Sequence, residues 1–252
     1  MEDAHYLKGE IRWLLEEKYK GKVTSKVKAD IERLKKGEHI DYVIGYVSFL
    51  SCKIDLSFRP LIPRPETEYW VEKAIGEIRG NSVGTIKCLD LFAGSGCIGV
   101  AVLKHIPQAH VDFGETNKRL LLQIRLNAKK NGIIKTKYRI IQTNIFSGIK
   151  EKYDYIFANP PYIAESRKSK VQSLVLKHEP REALFAGKDG LDIIRPFLRQ
   201  AKDFLVERGT IYLEFDSFQK PAIEQYFKRV GYKSWQFHRD QYGKWRFIVI
   251  HT

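Results

Sequence analysis

The sequence predicts an α/β fold with a mostly parallel sheet, and three observations carry that reading. From Thr85 onward, short β-branched runs alternate with helical patterns, as in repeated strand–helix units whose strands lie parallel with helices on both faces. The first of these strands runs into a glycine-rich turn, Asp90–Leu91–Phe92–Ala93–Gly94–Ser95–Gly96, that opens a helix. The last two strands, joined by Asp240–Gln241–Tyr242–Gly243, read as an antiparallel hairpin at the C-terminal edge. The expected architecture is a Rossmann-like domain with a seven-stranded sheet, preceded by a short helical segment.

Each element has a local reason. Residues 5–35 form two helices with a turn near Gly21, because Leu7, Ile11, Leu14 and Leu15, then Val27, Ile31 and Leu34, recur at helical spacing. Residues 42–57 are rich in β-branched and aromatic residues and predict a hairpin broken near Leu50–Cys52. Pro60, Pro63 and Pro65 hold the next loop extended and allow a helix only from about Glu66 to Arg79. The alternation then predicts strand 85–92, helix 97–105, strand 110–114, helix 117–132, strands 138–142 and 153–158, helix 189–207, strand 209–215, helix 219–230 and strands 233–238 and 245–250. The expected divisions are an N-terminal helical segment (1–41), a hairpin linker (42–60) and the α/β domain (61–252).

Composition excludes several classes. Of 252 residues, 43% are hydrophobic and 29% charged, enough for a packed core and against intrinsic disorder. Three cysteines make no disulfide framework or zinc knuckle, and no His/Cys/Asp cluster has metal-ligand spacing, so no metal is expected. No apolar run approaches membrane-spanning length and the N-terminus lacks a signal-like segment, so the expected location is a reducing cytoplasm and no membrane partner is expected. A monomer is the default. The net charge of +14 suits proximity to the ribosome, a nucleic acid or an acidic protein. Residues 117–150 hold nine basic residues and no acidic one, which is equally the pattern of a solvated helix face and strand edge.

Three constellations carry chemistry. In the first, Gly94 and Gly96 let backbone approach a ligand at a helix start, and Glu115, 19 residues beyond Gly96 at the end of the next strand, can accept from a ribose diol. Gly99 completes a formal G-x-G-x-x-G, but Asp90 just before the turn would repel a pyrophosphate and attract the amino group of an amino-acid ligand. That combination points to S-adenosylmethionine. In the second, Asn159–Pro160–Pro161–Tyr162 follows a strand directly. An amide or aromatic amine nitrogen is a poor nucleophile because its lone pair is delocalised. The Asn159 side-chain oxygen and the Pro160 carbonyl can hold both N–H groups and stabilise the charge growing on that nitrogen, while Tyr162 can stack on the planar group. In the third, Asn144 can bond an adenine edge while Ile145 covers its face; a capping Asn in a turn reads almost as well.

From about Gly37 to the C-terminus the chain resembles the HemK/PrmC family, protein-glutamine methyltransferases that modify peptide chain release factors. The likeness rests on the loop Leu61–Glu68 (LIPRPETE), on Asn159–Ile163 (NPPYI), and on His178–Asp192 (HEPREALFAGKDGLD). It implies a class I methyltransferase fold and methyl transfer from S-adenosylmethionine to the side-chain amide of a Gly-Gly-Gln glutamine. It also implies cofactor contacts from Asp90, Phe92, Ala93, Gly94, Ser95, Gly96, Glu115, Asn144, Ile145 and Asn159. Substrate contacts would come from Arg64, Pro65, Glu66, Asn159, Pro160, Pro161 and Tyr162. The chain departs from the family in its short N-terminal segment, in Asn144 where an Asp is common, and in Asp216 where a glycine is usual, which would strain a left-handed backbone. A nucleic-acid amine methyltransferase acting on adenine or guanine is the second reading, favoured by the basic stretch; an idle binding module is the third, opposed by the intact motifs.

Overall fold

The computed structural model describes residues 2–81, 84–171 and 173–252. The chain opens with α1 (Glu2–Tyr19), α2 (Ser25–Lys35) and a short α3 (Ile40–Ile44), whose apolar sides meet in a cluster of Leu14, Leu34, Ile40, Val43 and Ile44. Residues 42–44, expected to start the hairpin, instead finish α3. Gly45 closes that helix in the left-handed region (φ 95°), returning its N–H to the Asp41 carbonyl. The hairpin β1 (Tyr46–Phe49) and β2 (Cys52–Asp55) then turns at Leu50–Ser51, where the break was expected.

The remaining elements are α4 (Pro65–Asn81), β3 (Ile86–Leu91), α5 (Cys97–His105), β4 (Ala109–Glu115), α6 (Lys118–Lys130), β5 (Tyr138–Gln142), β6 (Tyr153–Ala158), α7 (Ser173–His178), α8 (Ile194–Gln200), β7 (Leu205–Glu214), α9 (Lys220–Val230), β8 (Ser234–Arg239) and β9 (Trp245–His251). Among the described residues, seven strands form one sheet in the order β5-β4-β3-β6-β7-β9-β8. Pairs from β5 to β7 are parallel, and β9 runs antiparallel between β7 and β8. The terminal hairpin therefore inserts its second strand into the sheet and leaves β8 at the edge. Chain order reverses beside β3, so the carboxyl ends of β3, β4 and β6 open onto one crevice, where open α/β sheets bind ligands.

The expected helix over 189–207 is shorter, and its C-terminal part is strand. Gly190 sits at φ 75° in a crossing so tight that a Cβ would lie 2.1 Å from the Tyr162 carbonyl oxygen, which keeps the chain out of helix there. At the other end Leu205 already pairs with Tyr153, and the ladder resumes after an irregularity.

Both faces of the sheet are covered, α4 to α6 packing on one and α8 and α9 on the other. Gly99 sets the approach of α5 to the sheet: a Cβ there would meet the Phe113 ring at 2.3 Å and Val111 at 2.9 Å. Gly99→Ala is expected to destabilise the fold by about 1–3 kcal/mol through overpacking, read as a lower urea midpoint at unchanged slope.

The hairpin is held by side chains rather than by the sheet. Gln123 and Asn127 on one face of α6, and Asn131 at its C-cap, accept from the backbone N–H groups of Phe58, Asp55 and Lys53 at 2.8, 2.8 and 2.9 Å. Asn127 also donates to the Ser95 carbonyl (2.9 Å), so one helix fixes both the hairpin and the glycine-rich turn. This accounts for part of the basic stretch as structure: Lys130 pairs with Asp55, and Arg139 with Asp112. Lys118, Arg119, Arg125 and Lys129 are exposed.

Candidate active site

A cavity of about 460 Å³ occupies the crevice. Its floor is the turn from Leu91 to Ser95 and its sides are Glu115–Asn117, Thr143–Ile145 and Asn159; the proline loop and residues 177–183 close over it. The turn is built by alternation, with Phe92 (φ 62°), Gly94 (φ 53°) and Gly96 (φ 77°) all left-handed. Phe92 carries a strain of order 1 kcal/mol that its packing edge-on against Phe197, 6.0 Å between ring centres, helps offset. Glu115 fastens the turn to β4: its two carboxylate oxygens accept from the N–H groups of Gly94 and Asn117, each at 2.8 Å. Each oxygen keeps a further lone pair for a hydroxyl, as a ribose diol requires.

Phe92, Ala93, Gly94, Ser95, Glu115, Asn144, Ile145 and Asn159 all line the cavity, as do Arg64 and Pro161. Gly96 caps α5 just behind the turn, with Ile124 against it. Asp90 stands outside the wall. It is fully buried, its Oδ2 accepts from the Gly99 N–H (2.9 Å) and its Oδ1 has no hydrogen-bond partner, so it ties the start of α5 to β3. Burial pushes its carboxyl up to about 8; the Gly99 N–H opposes this and Glu115 adds to it. An acid whose folded pKa is raised contributes stability that is complete below its unfolded value near 4 and is lost as pH rises through 8. The parent chain's urea midpoint is therefore expected to fall between pH 5 and 8 with a component that Asp90→Asn removes.

Pro160 and Tyr162 also lie off the cavity wall. Pro160 is buried. The Tyr162 hydroxyl donates to Glu214 Oε1 (2.9 Å) and its carbonyl accepts from Gln219 Nε2 (2.9 Å), so the ring is engaged from behind rather than free to stack on a ligand. Pro65 is exposed at the start of α4, and Glu66 likewise does not reach the cavity. Arg64 does, but its guanidinium pairs with Glu179, whose side chain is fully buried. Trp70 is buried and stacked among Phe157, Tyr212 and Phe247. Asp216 adopts an ordinary extended backbone (φ −86°) and caps the turn before α9 reciprocally with Gln219, so the expected strain is absent.

Sequence reasoning missed two residues. Thr67 lines the cavity and accepts from Asn159 Nδ2 (3.3 Å). Glu214, 1% exposed at the end of β7, accepts on Oε2 from the Thr67 hydroxyl and from Trp70 Nε1, both at 2.7 Å. Burial pushes the Glu214 carboxyl up, against its three donors and the nearby Arg246. Glu214 and Gln219 flank Asp216 in the segment Glu214–Gln219, which is the sequence signal that could have found Glu214, and it names no partner.

Among known proteins, the Methyltransferase small domain family matches residues 81–185. The Pyrococcus furiosus methyltransferase shares the fold, with a TM-score of 0.58 and 18% identity over 90% of this chain and 98% of its own. A release factor glutamine methyltransferase of Lactococcus lactis is 33% identical over 87% of this chain and 79% of its own length. That of Streptococcus pneumoniae is 36% identical over 83% of this chain and 73% of its own. Identity at this level over most of both chains means that the chain belongs to the release factor glutamine methyltransferase family.

Proposed function

We propose that this protein transfers a methyl group from S-adenosylmethionine to the side-chain amide nitrogen of the Gly-Gly-Gln glutamine of a peptide chain release factor, in the cytoplasm. The observation that carries the reading is that Asn159 opens into the same cavity as the glycine turn and Glu115. The residues suit this cofactor: left-handed glycines admit close backbone approach, Glu115 has lone pairs for a ribose, and Asn144 and Ile145 line the same cavity, where they would hold an adenine.

S-adenosylmethionine supplies an electrophilic methyl on a sulfonium. The chain's own residues handle the poor nucleophile. Asn159 Oδ1, at the cavity wall, accepts an N–H of the substrate amide and turns the nitrogen toward the methyl. As the nitrogen–methyl bond forms, the sulfonium's carbon–sulfur bond would break and S-adenosylhomocysteine would leave; Asn159 Oδ1 stabilises the positive charge growing on nitrogen, which then loses a proton to water. Pro160 and Pro161 stiffen the strand end, so little reorganisation accompanies the transfer. The walls from Arg64 and residues 177–183 surround the glutamine and limit water.

The test offers methyl-labelled S-adenosylmethionine together with a release factor, the same factor with its Gly-Gly-Gln glutamine replaced, and total RNA and DNA. Label confined to the intact factor is the expected result. Label on nucleic acid with the factor untouched overturns it.

A further inference from the structure

We infer that Thr67, held by Glu214, is a positioning residue that sets which end of the Asn159 amide faces the substrate. The inference rests on the reading of Asn159 as the acceptor for the substrate amide.

An asparagine side chain has one acceptor end and one donor end of nearly equal shape, and only its hydrogen-bond partners decide which points where. For this reaction the orientation is everything. Oδ1 toward the cavity accepts a substrate N–H, whereas Nδ2 there would set donor against donor.

The hydrogen bonds leave one arrangement. Trp70 Nε1 can only donate, and it donates to Glu214 Oε2 (2.7 Å). The Thr67 hydroxyl reaches the same oxygen at 2.7 Å and gives it its proton. This holds in either charge state of Glu214, because a proton on that carboxyl can reside on Oε1, beside Tyr162. With its only proton engaged, Thr67 Oγ1 presents lone pairs, and at 3.3 Å it accepts a hydrogen bond from Asn159 Nδ2. The amide nitrogen is thereby turned to the protein and Oδ1 to the cavity. Thr67, Trp70 and Glu214 are all buried, so water does not compete for the two bonds to Glu214 Oε2.

Thr67→Val keeps the shape and removes the acceptor, so the Asn159 amide is free to turn. Turnover on the release factor is expected to fall about 10- to 100-fold, with the Kd for S-adenosylmethionine within about twofold, since none of the bonds that shape the glycine turn change. Thr67→Ser retains the hydroxyl and is expected to keep turnover within about threefold. Thr67→Val at parental turnover overturns the inference. So does a loss in which kcat, cofactor affinity and melting temperature fall together in both variants, which would mark Thr67 as merely structural. A parent chain that leaves the factor unlabelled overturns the substrate reading and this inference with it. A labelled factor with unimpaired Thr67→Val overturns the inference alone.

Discussion

Replacing Asn159 with alanine is expected to lower turnover on the release factor by about 10²- to 10³-fold, the range found when one fixed group facing developing charge is removed from an active site. The loss should fall on kcat rather than on the fold. Asn159 is only half-buried, and among the described residues its one side-chain hydrogen bond is the 3.3 Å contact to Thr67. The cofactor-shaping contacts, Gly94 to Glu115 and Asn127 to Ser95, do not pass through it. Equilibrium binding of S-adenosylmethionine to Asn159→Ala should therefore stay within a few-fold of the parent, while single-turnover methyl transfer collapses. Unchanged single-turnover rates would remove Asn159 from the mechanism.

The second large effect is on stability. Arg64→Ala is expected to destabilise the protein by about 3 kcal/mol, because it leaves the Glu179 carboxylate buried with little compensation. The Glu179 side chain is fully buried, Arg64 is 29% exposed, and among the described residues the only other donor to that carboxylate is the Ile62 N–H at a long 3.4 Å. The pair also joins the proline loop to the Glu179–Pro180 segment, so the cavity should loosen and the KM for the release factor should rise. Adding Glu179→Gln to Arg64→Ala removes the stranded charge and is expected to recover most of the lost stability, a coupling that chemical denaturation of the parent, Arg64→Ala, Glu179→Gln and the double variant would measure. Arg64→Ala within about 0.5 kcal/mol of the parent would show that water already solvates Glu179 through the cavity.

The role of Arg64 shows where motif reading needs the fold. The loop was legible as a signature, and its proximity to the cavity is as expected, but Arg64 reaches the site as the partner of a carboxylate 115 residues away. Tyr162 is a parallel case. Its place after Asn159–Pro160–Pro161 suggested stacking on the substrate, yet its hydroxyl is taken by Glu214, 52 residues on. Side-chain direction at a strand end depends on what packs behind it, and a tetrapeptide carries no record of that.

What the sequence by itself determined is the local and periodic part. The α5 bounds and the β5 and β6 spans follow from apolar periodicity and breakers within a few residues, and so did the glycine turn with Glu115 at the end of the next strand. These depend on backbone sterics and side-chain alternation, which act over one or two turns of chain. The tertiary structure alone decided the insertion of β9 between β7 and β8, the shortening of the helix before β7 around Gly190, and the meeting of Thr67 with Glu214 across 147 residues. A buried polar group must find its partner wherever the packed chain brings one, and that choice is made by the whole fold at once.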